Sequence, residues 1–378
     1  MLTWIDPSGF KSFSGSDDGQ PIAIGPLTLL LGGNASGKSN LLELIRFFQG
    51  LASGFSLVEV AQGVQRGGRE IWPSLRGGIT ELYHIRSINL RAQVGIEITG
   101  GRWEYGVEIP SGEVSFWEEW LSHKPSNRSV TLRGTTLGET TVIFADGDYQ
   151  DAAPYLSRLP VEPGRAYLLR PSAAILKFVK LDGSPVREFL AHSRILDLNT
   201  ARMRDYAQMS DREIGSEGEH LSAVLFHLCE RDGFKADIVD WLSELCAPRI
   251  RDIDFVQVTE TRDVLLKLIE EGGAAVTARS VSDGTLRFLG LLAALWTLPR
   301  GAMICLEEVE TGLHPSRIDL LIELLVQVVR DRELQIIATT HSPRVLHALG
   351  QAAPEHLARA VVFARPPDAA GTVTRSLG

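Results

Sequence analysis

The sequence predicts an α/β fold with a mostly parallel core sheet, an added antiparallel β-subdomain and a helical insertion. Three observations predict it. An apolar run, Leu27-Thr28-Leu29-Leu30-Leu31, passes through a glycine-rich turn into the helix-like pattern Leu41-Leu42-Glu43-Leu44-Ile45. Far downstream, Ala302–Leu306 and Gln335–Thr340 are buried-type strands ending in polar residues, as the central strands of an open parallel sheet do. Between these ends, period-2 alternation over 79–144 gives way to helical periodicity over 186–246. The expected segments are an N-terminal lobe with the glycine-rich loop (1–78), an antiparallel β-rich insertion (79–180), a helical insertion (181–250) and a C-terminal lobe (251–378).

In chain order, β-strand is expected near Leu2–Ile5, at Phe10-Lys11-Ser12-Phe13, and at the run entering the loop. Residues 50–78, rich in Gly and Arg, carry no clear period. Ile88–Val94 and Tyr105–Ile109 alternate, and Pro110-Ser111-Gly112 turns the second into Val114–Trp117. Residues 146–180, punctuated by Asp-Gly, Pro-Gly and Leu-Pro, read as a mobile surface loop. Leu221, Val224, Leu225 and Leu228 share one helical face, and Ile238, Val239, Leu242 and Leu245 another; no heptad run predicts a coiled-coil arm. Strands follow near 253–258 and 264–269. Leu286–Leu298 is an apolar helix, and Pro315 opens another carrying Ile318, Leu321, Ile322, Leu325, Val328 and Val329. A hairpin is expected around Val361–Phe363 and Thr372–Thr374, with no separate nuclease region after His341.

Composition narrows the function classes. The 378 residues are 44% hydrophobic and 22% charged, ordinary for a globular chain with a sizeable core. The start lacks the basic-then-apolar pattern of a signal peptide, and Leu286–Leu298 is too short to cross a bilayer, so a cytoplasmic protein without a membrane partner is expected. Cys229, Cys246 and Cys305 form no CxxC and read as small core residues, with no disulfide or zinc. A net charge of −9 argues against a strongly basic nucleic-acid binder. Two arginine groups nevertheless motivate a local DNA contact: Arg66, Arg69, Arg76, Arg86 and Arg91, and Arg187, Arg194, Arg202 and Arg204. Solvated surface arginines are the plainer account.

The chemistry begins at Gly32-Gly33-Asn34-Ala35-Ser36-Gly37-Lys38-Ser39, followed by Asn40. Its G-x-x-x-x-G-K-[ST] spacing between strand and helix makes a phosphate-binding loop. Glycines let successive N–H groups point into one concavity, and the helix N-terminus adds its partial positive charge. Lys38 would reach the β- and γ-phosphates of a nucleotide, and the Ser39 hydroxyl would take one Mg²⁺ position. The strand ending in Glu307-Glu308 supplies an acid for Mg²⁺ and a second acid to polarise the attacking water. Ser282-Asp283-Gly284-Thr285 opens a helix and can cap it, contact a phosphate, or do both. His341, at the end of the next strand, can donate a hydrogen bond to the γ-phosphate.

Together these motifs resemble the ABC-type AAA-family ATPases, in particular the soluble SMC-, RecF- and OLD-like branch. Phe10–Phe13 resembles its N-terminal strand motif, Gly32–Ser39 Walker A, and Ser282–Thr285 the signature. Ile304–Glu308 resembles Walker B, Glu310-Thr311-Gly312-Leu313-His314-Pro315 the D-loop segment, and His341 the switch histidine. The resemblance implies an ABC-ATPase head that forms a head-to-tail homodimer around two ATP-Mg²⁺. Each nucleotide would lie between one protomer's Walker A and the other's Ser282–Thr285, with Glu308 as catalytic glutamate and Ser39 with Glu307 as the Mg²⁺ site. Glu307 stands where many ABC ATPases carry aspartate, and Val309 where close relatives often carry proline. The longer Glu307 would hold Mg²⁺ through water, which implies slow hydrolysis. Gln65 and Gln93 are candidates for the Q-loop, and Lys11 to Phe13 for the adenine contact.

The function expected is an ATP-hydrolysing, DNA-associated switch or scaffold in repair or anti-phage defence, acting with a separate effector or nuclease subunit. A non-hydrolysing scaffold that ATP merely stabilises is one alternative. A transporter's nucleotide-binding subunit is another, which the long insertion between Walker A and the signature disfavours. A small-molecule kinase is a third, disfavoured by Ser282 and His341.

Overall fold

A computed structural model describes residues 1–14, 21–98, 100–111, 118–124, 126, 128–134, 140–144, 168, 183–354, 356–367 and 369–377. Contacts divide the chain into two units, Met1–Ser193 with His356–Gly378, and Arg194–Glu355.

In the first unit, β1 (Leu2–Asp6) and β2 (Ile22–Ala23) precede β3 (Leu27–Leu31), which enters the glycine-rich loop. Helix α1 (Lys38–Ala52) leaves that loop, and a capping box at Ser56 and Glu59 starts α2 (Leu57–Gln62). The unassigned Gly/Arg stretch forms a hairpin, β4 (Val64–Arg66) and β5 (Arg69–Trp72). Its two-residue turn, Gly67-Gly68, needs positive φ at both positions (58° and 77°), which glycine supplies without strain. Five antiparallel strands follow: β6 (Asn89–Ile98), β7 (Gly101–Pro110), β8 (Glu118–Lys124), β9 (Arg128–Gly134) and β10 (Thr140–Phe144). With β1 and β2 they make a sheet ordered β10-β9-β8-β7-β6-β1-β2. Alternate residues such as Val94, Ile96, Tyr105 and Val107 are buried. Helix α1 lays Leu41, Leu44, Ile45, Phe47 and Phe48 into the core, and Phe48 meets Tyr105 of β7 edge to face at 5.9 Å. Helix α3 (Ser184–Ala191) closes this part of the chain.

The second unit begins with β11 (Arg194–Leu196), α4 (Thr200–Met203) and β12 (Ala207–Gln208), then α5 (Leu221–Glu230) and α6 (Lys235–Leu245). A small antiparallel sheet comprises β12, β13 (Ile250–Val258), β14 (Asp263–Glu270) and β15 (Ala275–Thr277). Helix α7 (Asp283–Thr297) leads to β16 (Met303–Leu306), α8 (Ile318–Arg332), β17 (Gln335–Thr340) and α9 (Pro343–Ala352). Strands β11, β16 and β17 pair in parallel, Leu196 beside Leu306 and Leu306 beside Ala338. Every residue of β16 and β17 is buried, which accounts for the apolar run of β16 and for Ile336-Ile337-Ala338 in β17. The chain then returns to the first unit as β18 (Ala358–Ala364), parallel to β3, and β19 (Val373–Leu377), antiparallel to β18.

Several expectations change. Phe10–Phe13 is a turn rather than a strand, because Gly9 (φ 76°) and Lys11 (φ 49°) bend the backbone and Phe13 N–H donates to Phe10 O at 2.9 Å. Residues 181–250 contain strands as well as helices, β11 among them. Pro315 opens a 3₁₀ turn, Pro315–Arg317, before α8 proper. The expected strand at Val114–Trp117 lies outside the described residues, as does the stretch 146–180 apart from Leu168. Among the described residues no helix is long and apolar enough to cross a membrane.

Candidate nucleotide site

The first unit carries the glycine-rich loop, which is braced from beneath. A Cβ on Gly32 would lie 2.5 Å from Phe363 O and 2.6 Å from Ser36 Oγ. Gly37 caps α1 in the left-handed region (φ 105°), and a Cβ there would lie 2.4 Å from Thr372 Oγ1. At both positions only glycine fits. Gly33 has open space where its Cβ would be, on the exposed side together with Asn34 and Ala35. The Thr372 hydroxyl is shared between Ser12 Oγ (2.9 Å) and Ser36 O (3.0 Å), while Thr372 N–H donates to Ser12 O at 2.7 Å. Asn40 Nδ2 donates to the same Ser12 hydroxyl at 2.8 Å. Lys38 folds its ammonium over the loop and donates to Gly32 O (2.7 Å) and Gly33 O (2.9 Å). Ser39 is half-buried in the first turn of α1.

This loop fits a polyphosphate. Its concave shape is imposed by two glycines that tolerate no side chain, the ammonium lies at its mouth, and α1 points its N-terminus at it. An open cleft of about 1190 Å³ adjoins it, lined by Lys11, Ser12, Asn40, Arg76, Tyr83 and Arg365 among others. Lys11 is not a free adenine contact. Its ammonium forms a buried ion pair with Glu43 of α1 and donates to Arg76 O at 2.7 Å. Burial works against the Glu43 charge, but bonds from Lys11 and from Arg76 N–H outweigh it and hold the carboxyl below the usual range.

The second unit carries Ser282–Thr285, Glu307, Glu308 and His341. Ser282 is the N-cap of α7, its Oγ accepting from Thr285 N–H at 3.2 Å and lying 2.8 Å from Thr285 Oγ1. Gly284 packs on the D-loop segment so closely that a Cβ would lie 2.2 Å from Gly312 O. Beside them opens a cleft of about 460 Å³ lined by Ser280, Ser282, Thr285, His314, Ser316 and Arg317, with other residues behind. Arg204 holds the approach to α7. Its guanidinium donates to Ala278 O (2.9 Å), Arg279 O (2.9 Å), Val281 O (2.8 Å) and Asp283 Oδ1 (2.6 Å). The bond from Arg204, and then one from Thr200, keep the Asp283 carboxyl below its ordinary range.

Glu307 N–H donates to Leu196 O at 2.9 Å, so the missed strand β11 fixes the first acid of the pair. Glu308 is exposed and adopts φ 45°, a conformation costly for a residue with a Cβ. Two bonds hold it: its N–H donates to Thr339 Oγ1 at 2.8 Å, and Thr311 Oγ1 donates to its carboxylate at 3.1 Å. His341 is exposed at the end of β17, and its N–H donates to Glu310 Oε1 at 3.1 Å. The second unit thus brings Ser282–Thr285 against the D-loop segment, and Glu308 and His341 onto adjacent strand ends. Among the described residues no cluster of three or more His, Cys, Asp or Glu forms a metal cage.

Sequence reading missed Arg204, Glu310 and Thr372 as parts of this architecture. Arg204 stood among the DNA-contact arginines; Arg194 and Arg202 of the same group pair with Glu213 and Glu217, and Arg76 and Arg91 of the other with Glu43 and Glu108. Gln93 donates to Asp6 Oδ2 at 3.0 Å. Glu310 carried one usable signal, an acid just downstream of an acidic strand end.

Residues 27–347 match the family model described as "AAA domain, putative AbiEii toxin, Type IV TA system". No curated protein matches the chain. Among solved structures, an Smc head bound to the C-winged helix domain of ScpA superposes with a TM-score of 0.54 at 11% identity, covering 100% of this chain and 98% of that one. An Smc head with an extended coiled coil, bound to the C-terminal domain of ScpA from Pyrococcus furiosus, gives 0.49 at 12% identity, covering 100% and 96%. The Thermotoga maritima SMC head domain gives 0.44 at 14%, covering 100% and 99%. The first shows the fold, that of an SMC-like P-loop ATPase head.

Proposed function

The chain belongs to this AAA-domain family, and from that premise we propose that it is an ATP-hydrolysing ABC-type head, closed into a homodimer by two nucleotides. The observation that carries the reading is the loop from Gly32 to Ser39, shaped by glycines without room for a Cβ and holding Lys38 at its mouth. Lys38 would exchange its bonds to Gly32 O and Gly33 O for bonds to the β- and γ-phosphates, and the loop N–H groups would orient the triphosphate. When bound, Mg²⁺ would neutralise charge on the phosphates, with Ser39 and Glu307 as the residues suited to hold it. Glu308 would orient and deprotonate the attacking water, its carboxylate steadied by Thr311. His341 would donate a hydrogen bond to the γ-phosphate. Ser282, Asp283, Gly284 and Thr285 would meet the partner protomer's nucleotide, with the N-terminus of α7 as the phosphate contact.

The division into four segments, the cytoplasmic location and the wider role belong to the same proposal. In that role, ATP binding closes the dimer and hydrolysis reopens it, signalling to a separate effector in DNA repair or anti-phage defence. The solved head in complex with a winged-helix domain supports a protein partner in general terms. The internal pairing of Arg194, Arg202 and Arg204 gives the DNA contact less support than the sequence suggested.

The test measures phosphate release and molecular mass for wild type and Glu308→Gln, each with and without DNA. We expect the variant to lose at least ~100-fold in turnover while still forming an ATP-dependent dimer. If wild type binds ATP without turning it over, and Glu308→Gln behaves identically, the protein is a nucleotide-stabilised scaffold instead.

A further inference from the structure

Glu310 lies in the D-loop segment and is buried, its side chain 9% exposed. Its Oε1 accepts from Thr340 Oγ1 at 2.8 Å and from His341 N–H at 3.1 Å, and lies 3.4 Å from His341 Nδ1. Its other oxygen, Oε2, is buried with no partner among the described residues. A buried carboxylate with one bare oxygen is costly, and such a group calls for a reason. The imidazole of His341, 55% exposed, faces this carboxylate through Nδ1.

We propose that Glu310 is the positioning residue of His341. A carboxylate facing Nδ1 favours a proton on Nδ1 and leaves Nε2 directed away from Glu310, towards solvent; donation from Nε2 to a γ-phosphate then requires a proton on both nitrogens, the form in which the ring bridges carboxylate and phosphate. The 3.4 Å separation exceeds a formed hydrogen bond, and a small rotation of the exposed ring closes it; catalytic hydrogen bonds are often this long before substrate arrives. Thr340 completes the device. Its hydroxyl occupies one lone pair of Oε1 and its oxygen accepts from Ser342 N–H at 3.0 Å, so the carboxylate is anchored to the turn that carries the ring. Glu310 touches no reacting atom and acts only through His341. The inference rests on reading His341 as the γ-phosphate contact.

The test has two arms. In the first, ¹⁵N spectra of the His341 ring are recorded on nucleotide-free protein, with no ATP chemistry involved. Wild type and Glu310→Gln, which keeps an acceptor at Oε1, are expected to hold the Nδ1–H tautomer; Glu310→Ala is expected to lose that preference. In the second arm, Glu310→Ala should lower kcat by ~10–100-fold with KM unchanged, below or at the lower end of the ~10²–10⁴ of a general acid–base group itself. Glu310→Gln should recover most of that loss. In a His341→Ala background, Glu310→Ala should cost nothing further, because a residue that works through another has no effect once the other is gone. An unchanged tautomer in Glu310→Ala, or an equal loss of kcat in both backgrounds, overturns the proposal. If wild type itself releases no phosphate, the ATPase reading fails, and the spectra alone still decide whether Glu310 sets the ring.

Discussion

The two motif-bearing regions are built on different principles. The glycine-rich loop is shaped by backbone: two glycines that admit no Cβ, a threonine from β19's approach bonded beneath, and a buried ion pair under the first helix. The region of Ser282, Glu308 and His341 is shaped by side chains, with Arg204 gathering the carbonyls ahead of α7, Thr339 and Thr311 holding Glu308, and Glu310 under His341. A phosphate cradle made of amides must be rigid to keep its donors converged. In the proposed function Glu308 and His341 answer to the state of the nucleotide, and both are exposed. The contrast teaches that the first region resists through shape and the second is tuned through charge.

The largest effect expected is on the first region. Lys11→Met removes the buried cation from Glu43 and leaves it only the exposed Arg76, so the loss should approach the ~3–5 kcal/mol of breaking a buried pair; urea unfolding measures it. The pH dependence sharpens the point. Because the Glu43 carboxyl is held below its unfolded value, its contribution is present above the ordinary carboxylate range and is lost as pH falls through the depressed one. Lys11→Met should flatten that acid limb, and a limb of unchanged slope would remove Glu43 as its source. Next, Gly37→Ala places a Cβ against Thr372 in a backbone conformation that L-residues avoid, at ~1–3 kcal/mol. Nucleotide affinity measured by calorimetry should fall by at least ~10-fold; unaltered affinity would mean the loop relaxes around the methyl group. Smallest is Arg204→Lys, which keeps the charge but cannot span Ala278, Arg279, Val281 and Asp283 together. We expect ATP-dependent dimerisation to weaken by roughly 10-fold, about 1.4 kcal/mol, with ATP affinity of the monomer unchanged. A loss in monomer affinity instead would blur the division between the two regions.

Legibility in the sequence follows the same division. The loop at Gly32–Ser39 and the strands β16 and β17 were readable because their chemistry is local: a fixed spacing, or an unbroken apolar run ending in polar residues. Strand β11 was not, since three residues gain strand character only from pairing with β16 far along the chain. Phe10–Phe13 misled because alternating aromatics suggest a strand, whereas the left-handed backbone at Lys11 and its bond to Glu43 make a turn. Arg204 meets Asp283 across 79 positions, and no period or motif encodes such a distance. Glu310 was visible as an acid in a recognised segment, but its role depends on burial, which one sequence does not display.

The bond from Thr372 to Ser36 has a consequence for how the molecule is made. Its partners are 336 residues apart, and β18 and β19 return to β3 only after the entire second unit has been translated. At ~5–20 residues per second, roughly 17–67 s pass on the ribosome between the two ends of that bond. For that interval the newborn chain lacks the underside of its phosphate cradle. The second unit, whose residues are contiguous, emerges whole before the first is finished, so the order of synthesis is not the order of completion.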